Sequence, residues 1–417
     1  MTSSRGSASA AFVWIWLPGA EEPVVAGRAD LRGEQLIFGY GNRYRSRPDA
    51  ISIYEPELPL VEGPIAPPTG LDIAGCLLDA SPDAWGQRVI LNRLLGPGAT
   101  DNAELNQLTY LLSAGSNRIG ALDFQESPNV YVPRGEEPTS LAMLAQMTEL
   151  IQAGEAVPKE LAAALIAGSS VGGARPKAVL RDGPSEFIAK FSSLTDRYPI
   201  VRGEFLAMRM AQLCGVQAAN VQLTSANGKD VLLVERFDRI SGAKQRRLMV
   251  SALTMLGLPE IAAGEASYAR LAELIRERFV DPKATLRELF ARITFNILSG
   301  NTDDHARNHA AFWDGRMLTL TPAYDICTYV RGGGEATQAM IIGPPDDPYR
   351  FSQVAGCIER APVYGLTRSE AHEIVEHQLT TIRARWDEVC DDAKLASADR
   401  AMFRRMFPTV YALEGFA

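Results

Sequence analysis

Cysteine is scarce in this chain. Its 417 residues include five, Cys76, Cys214, Cys327, Cys357 and Cys390. They are odd in number, widely spaced and form no C-x-x-C pair. That argues against a disulfide scaffold and a cysteine zinc site, and for reduced thiols in a cytoplasmic protein. Histidine is scarcer still, with four, and His305-x3-His309 lacks the glutamate of H-E-x-x-H. Excess positive charge is also missing, since 42 Lys and Arg against 50 Asp and Glu leave a formal charge of −8. A surface this acidic does not hold nucleic acid as a whole, though a local basic patch stays open. No apolar run approaches the ~18 residues that cross a bilayer, so no membrane partner is expected. The run Ala10–Leu17 follows a single Arg5 and precedes no A-x-A-like cleavage site. With Trp14, Ile15 and Trp16 inside it, it reads as a strand rather than a signal peptide. There is no G-x-S-x-G elbow, no low-complexity tract and no repeat at a solenoid period, which removes serine hydrolases and solenoids.

What is present is an ordinary globular composition, 46% hydrophobic and 22% charged. The length suggests two or three domains. Residues 1–137 begin with strand-like runs, Phe12–Leu17, Val24–Arg28, Gln35–Gly39 and Ala50–Tyr54, punctuated by turn residues. A Pro-rich connection, Pro56–Pro68, and helical stretches at Ala84–Leu95 and Ala103–Ala114 complete this region. Glu126–Thr139 reads as a linker. The second region, 138–240, has helical spacing at Leu141–Ala153 and Lys159–Ala167. Two hairpins follow, across Asp182-Gly183 and Asn227-Gly228, with a helix Glu204–Leu213 between them. The third, 241–417, is mostly helical (Leu271–Phe279, Leu286–Leu298, Arg368–Asp387, Ala398–Met406). It is interrupted by a polar loop, Gly300–Asn308, and two short strands, Ala310–Trp313 and Met317–Leu320. The expected class is α+β.

The densest chemical signal is Asn301-Thr302-Asp303-Asp304-His305-Ala306-Arg307-Asn308. Asp303 and Asn308 have the D-x-x-x-x-N spacing of a kinase catalytic loop. There a carboxylate orients and deprotonates the acceptor hydroxyl, and an amide oxygen reaches magnesium. Asp325, after a hairpin, offers a second hard oxygen ligand. Lys190 lies inside the apolar strand Phe187–Phe191, where an ammonium is costly unless it meets anions. Glu204 is placed to orient it. Gly172 and Gly173, in the segment Ser169–Lys177, allow backbone amides to approach phosphate. The run Leu232–Arg239 leaves a buried strand into polar residues, as a hinge against adenine does. Each piece alone has a plainer reading: Asp303 to His305 as a helix cap, Lys190 as a snorkelling lysine, the glycines as a turn. Their joint order is that of a kinase.

These residues resemble the HipA-like serine/threonine kinases, the toxin half of bacterial HipBA toxin–antitoxin systems. The resemblance rests on Val171–Lys177, Phe187–Phe191, Val234–Arg239, Asn301–Asn308 and Pro322-Ala323-Tyr324-Asp325, with Asp79–Gly86 and Asn117–Leu122 nearer the N-terminus. It implies a protein-kinase-like two-lobed fold with a β-rich N-terminal subdomain and a helical C-terminal lobe. It implies Asp303 as proton acceptor, Lys190 on nucleotide phosphate, and Asn308 and Asp325 on Mg2+. ATP would lie against Gly172, Gly173, Ala174, Arg175, Pro176 and Lys177, the hinge residues Glu235, Arg236 and Phe237, the loop residues His305, Ala306, Arg307 and Asn308, and Tyr324. Ser170 falls where the family carries an autophosphorylated serine, with Ser169 an adjacent competitor. Arg175-Pro176 departs from some members and leaves autoinhibition less secure than catalysis. The implied substrate is an aminoacyl-tRNA synthetase. With no helix-turn-helix ahead of the toxin-like region, the expected partner is a separate HipB-like antitoxin, through which operator DNA is met mainly indirectly. A kinase of the same fold acting on a small molecule or lipid headgroup, and a non-catalytic co-repressor, are the alternatives.

Overall fold

The computed structural model describes residues 8–97, 105–135, 139–161, 164, 166, 168–169, 173–240, 242, 244–332 and 334–416. Ser170, Val171, Gly172 and the 137/138 boundary lie outside these.

The first apolar runs pair as antiparallel strands. β1 (Ala10–Ile15), β2 (Val24–Arg32), β3 (Gln35–Tyr40), β4 (Pro64–Ile65) and β5 (Leu122–Gln125) form a sheet in the order β4-β3-β2-β1-β5. The N-terminal run is thus a strand, as expected. Ala50–Tyr54 is not one. It packs as irregular chain, the Ser52 carbonyl accepts from the Trp313 indole at 2.9 Å, and Tyr54 stands edge-on to Trp313. Helices α1 (Ala84–Leu95) and α2 (Gln107–Ser113) follow. α2 is shorter than its sequence pattern because Asn106 caps it, accepting from the Thr109 amide at 2.8 Å.

The next region begins with α3 (Leu141–Gln152), and a second sheet then runs in the order β6-β7-β9-β8. Its strands are β6 (Lys177–Asp182), β7 (Ser185–Phe191), β8 (Val221–Ala226) and β9 (Lys229–Glu235). Both expected hairpins are present; Asn227 and Gly228 both take positive φ, as a tight two-residue turn requires. Helix α4 (Ile200–Leu213) crosses between them and begins a turn earlier than the sequence pattern, which puts Glu204 in its second turn. α1 belongs to this sheet's packing: Trp85 and Val89 share a buried cluster with Met147, Ala178, Phe187 and Val231.

Beyond the hinge the chain is mainly helical. A short sheet, β10 (Met249–Ser251), β11 (Ala310–Trp313) and β12 (Leu318–Leu320), frames the polar loop. Helix α5 (Tyr268–Arg278) precedes α6 (Pro282–Leu298), whose Asp281 N-cap and Pro at the first turn start it four residues before the apolar spacing does. α7 (Arg368–Asp392) opens on a Thr367/Glu370 capping box, and α8 (Ser397–Arg404) follows. One continuous buried cluster joins Val13, Ile15 and Phe38 of the first sheet to Phe290, Ile293 and Ile382 of these helices. The fold is α+β, with a β-rich N-terminal subdomain and a helical C-terminal region. Among the described residues no helix is long and apolar enough to cross a membrane.

Candidate functional site

Lys190 lies in the middle of the second sheet, opposite Lys177 of β6 and Leu232 of β9. Its ammonium bonds both Glu204 and Asp325. Three residues far apart in sequence therefore meet. Burial acts against charge on Lys190, but Asp325 and Glu204 outweigh it and its pKa is raised. Burial also opposes charge on Asp325, and the ammonium groups of Lys190 and Lys177 more than offset that, holding its carboxyl below the usual range. Glu204, almost fully enclosed, is pushed up by burial despite Lys190. Asp325 adopts a positive φ of 60°, a conformation few non-glycine residues take.

Lys177 sits beside this cluster. Its pKa is lowered by burial and then by Lys190. Its ammonium fills the space under Gly173: a Cβ there would lie 1.8 Å from Lys177 Nζ, and Gly173 has φ 108°. Gly173 is therefore required twice, for its backbone conformation and for the room it leaves. Arg175 turns elsewhere and forms a two-pronged pair with Asp196 at 2.7 and 2.8 Å. Ser169 is fully buried, and its hydroxyl donates to the Ile166 carbonyl at 2.7 Å.

The polar loop splits its two aspartates. Asp303 is exposed, and its carboxylate accepts from the Tyr329 hydroxyl at 3.1 Å. Asp304 points inward and accepts from Tyr268, from Asn296 at 2.6 Å and from His309 at 2.9 Å. Asn296 and Asn301 are bonded at 2.9 Å, and Asn301 accepts from the Asp303 amide at 3.3 Å. A chain of amides thus runs from the buried aspartate to the exposed one. Asn308 is buried and donates to the Asp303 carbonyl at 3.2 Å. Tyr324 ties down the loop by donating to the Arg307 carbonyl at 2.7 Å. The Arg307 guanidinium pairs with Glu260. Ala306 is buried, and His305 keeps a covered Nδ1 without a hydrogen-bond partner.

At the hinge, the Phe237 ring lies 5.7 Å from Tyr324 and 6.0 Å from Phe312, making an apolar wall. Glu235 accepts from Asn220 at 2.9 Å. Arg236 has a different task from the one its sequence position suggests. Its five N–H groups go to Asp238, Asn117 and the Arg118 carbonyl, at 2.6 to 3.2 Å. With every donor engaged, the side chain fastens the hinge to the N-terminal subdomain and has none left for a nucleotide.

Asp83 and Trp85 lie in the Asp79–Gly86 match, but sequence reasoning gave neither a part in the site. Asp83 precedes α1, and its Oδ1 is covered and without a partner. Burial pushes its carboxyl up to about 6, against the pull of Lys177 and Arg307. The sign of the resulting stability change follows directly. Unfolded, the group ionises near pH 4; folded, near 6. Stability is therefore greatest below pH 4 and declines as pH rises through 6, by about 2–3 kcal/mol for this group. Asp83→Asn is expected to remove that decline. Urea unfolding of parent and variant at pH 4.5 and 7.5 measures it: the variant gains stability at 7.5 relative to 4.5. An equal pH response in the two proteins contradicts the assignment.

Oxygen donors suit a hard cation. Among the described residues no group of three or more His, Cys, Asp or Glu could hold a metal ion. Magnesium commonly uses one or two protein oxygens and completes its shell with water and phosphate, and the Asp325 carboxylate, bonded to Lys190, is an oxygen donor of that kind.

Comparison with known proteins bears on this geometry. The family model of the HipA-like C-terminal domain matches residues 169–386, just over half the chain. The chain belongs to this family. Among curated proteins, a putative kinase Y4mE of Sinorhizobium fredii is 29% identical over 274 residues, 58% of this chain and 61% of that protein. The serine/threonine-protein kinase toxin HipA of Shewanella oneidensis is 29% identical over 183 residues, 38% of this chain and 42% of that one. The chain thus spans less than two thirds of each relative's length. Over nearly its whole length the fold is similar to that in the Shewanella oneidensis complex of HipA, HipB and operator DNA. The TM-score is 0.69 with 21% identity, covering 94% of both chains. The two-lobed HipA-like architecture expected from the sequence is present.

Proposed function

We propose that this chain is an ATP-dependent, magnesium-requiring protein serine/threonine kinase, acting as the growth-inhibiting toxin of a toxin–antitoxin pair. The observation that carries the reading is the convergence of Lys190, Glu204 and Asp325 beside the Gly173–Lys177 segment. In this mechanism Lys190 and Lys177 hold nucleotide phosphates, and Phe237 and Tyr324 face the base. Asp325 and Asn308 would hold magnesium, which supplies charge neutralisation on the phosphates. Asp303, exposed at the rim, orients the acceptor hydroxyl and takes its proton. Catalysis is then mainly positioning and electrostatic stabilisation.

The protein substrate in this reading is an aminoacyl-tRNA synthetase, and the partner is a HipB-like helix-turn-helix antitoxin that itself carries the operator contact. Ser170 is the proposed autophosphorylation site; the buried, hydrogen-bonded hydroxyl of Ser169 disfavours it as the alternative. The test is to incubate the protein with γ-labelled ATP and lysate. A labelled protein band, lost on chelating magnesium, is expected. Label confined to small metabolites or lipid would replace the protein-kinase reading with a small-substrate one. No transfer at all would leave a co-repressor.

A further inference from the structure

The segment that bears Lys177 is held from outside the kinase lobes. Trp85, at the start of α1, donates its backbone N–H to the Gly173 carbonyl at 3.2 Å. The same residue donates its indole N–H to the Lys177 carbonyl at 2.8 Å. One side chain and its own backbone therefore grip the phosphate segment at two points. The indole is only 1% exposed, so both bonds form away from competing water. The upstream end is gripped by neighbouring residues. The Gly115 amide donates to Ser169 Oγ at 3.1 Å, and a Cβ on Gly86 would stand 3.0 Å from the Ser169 carbonyl oxygen.

The same subdomain reaches the other walls of the site. Its Asn117 and Arg118 take the hinge arginine, Arg236. Asp79 accepts from the Ser251 amide at 2.7 Å, beside the polar loop. Each contact to the phosphate segment is made through a backbone carbonyl or hydroxyl. They therefore fix the path of the chain without occupying the faces a ligand needs.

We propose that Trp85 is a positioning residue for the phosphate segment, and that the N-terminal subdomain is thereby an integral wall of the nucleotide site. This deepens the kinase reading and rests on it for its catalytic consequence. Losing the indole donor leaves a buried carbonyl unpaired and lets Gly173–Lys177 drift, while Asp303 and Asn308 stay in place. The cost falls on nucleotide binding.

The experiment uses the full chain with Trp85→Phe, which keeps a buried ring and removes the donor, and separately Gly86→Ala, whose Cβ meets Pro82 at 2.7 Å and the Ser169 carbonyl at 3.0 Å and so presses on the other end as well as on the start of α1. Amide exchange in Gly173–Lys177 is expected to accelerate in both, with α6 unchanged. KM for ATP is expected to rise about tenfold, the size of one buried hydrogen bond, with kcat at saturating ATP within about twofold of the parent. Unchanged exchange in that segment overturns the proposal, as does a fall in kcat with KM unmoved, the signature of a merely destabilised fold. If the parent neither binds nor turns over ATP, the kinase reading fails, and the exchange measurement alone still decides whether Trp85 holds the segment.

Discussion

Asp303→Asn is expected to lower phosphotransfer by about 100- to 10,000-fold while leaving ATP affinity and the unfolding midpoint close to the parent's. The magnitude is that of a positioned general base. The reasons are local. The Asp303 carboxylate is exposed and accepts one hydroxyl hydrogen bond, from Tyr329. Its backbone is set by Asn301 and Asn308 rather than by its own side chain. An amide therefore keeps the shape and the loop but cannot take a proton. In the proposed mechanism nucleotide affinity should hold, because Lys190, Glu204, Asp325 and Lys177 are untouched. The measurement is single-turnover transfer from labelled ATP alongside calorimetric ATP binding and thermal unfolding. Transfer within tenfold of the parent removes Asp303 from the mechanism. A lower midpoint would make the residue structural.

The contrast between Asp303 and Asp304 shows where the sequence is legible. Adjacent aspartates in a polar loop look alike, and the D-x4-N spacing alone singles out Asp303. That Asp304 turns inward depends on Tyr268 and Asn296, on two helices that precede the loop. A polar residue inside the apolar stretch Ile293–Leu298 was the available signal for Asn296. The hairpins were legible because Asp182-Gly183 and Asn227-Gly228 specify a turn locally. β5 was not: its pairing partner is β1, more than a hundred residues earlier, and Asp123 and Gln125 blur the strand pattern. Ala50–Tyr54 has the right alternation, yet its Ser52 carbonyl is claimed by Trp313. The partners of the Arg236 side chain were not legible for the same reason, since Asn117 and Arg118 are distant in sequence. Lys190, Glu204 and Asp325 could be named from kinase order, but their contact is a property of the folded chain. What the chain spells out locally is turn chemistry and motif spacing; what it leaves to folding is which distant partner claims each polar group.

Asp304→Ala is expected to destabilise the protein by about 3–5 kcal/mol, the scale for removing a buried charged partner. Asp304 is 3% exposed, and one carboxylate oxygen gathers Tyr268, Asn296 and His309. Alanine leaves those three donors enclosed without an acceptor, each a penalty of about 1–3 kcal/mol that is not additive. Burial alone would raise this carboxyl; His309, followed by its other hydrogen bonds, outweighs burial and lowers it. A lowered folded pKa contributes stability that is present above pH 4 and lost as pH falls through the folded value. The variant therefore loses most at neutral pH and least in acid, the opposite trend to Asp83→Asn. Urea unfolding at pH 7.5 and 3.5 measures both the size and the direction. Phosphotransfer should fall as well, because Asn296 and Asn301 connect Asp304 to the Asp303 backbone. A loss below 1 kcal/mol at pH 7.5 would mean that the three donors find other acceptors, and the Asp303 loop would then have to be held by Tyr324 and Asn308 alone.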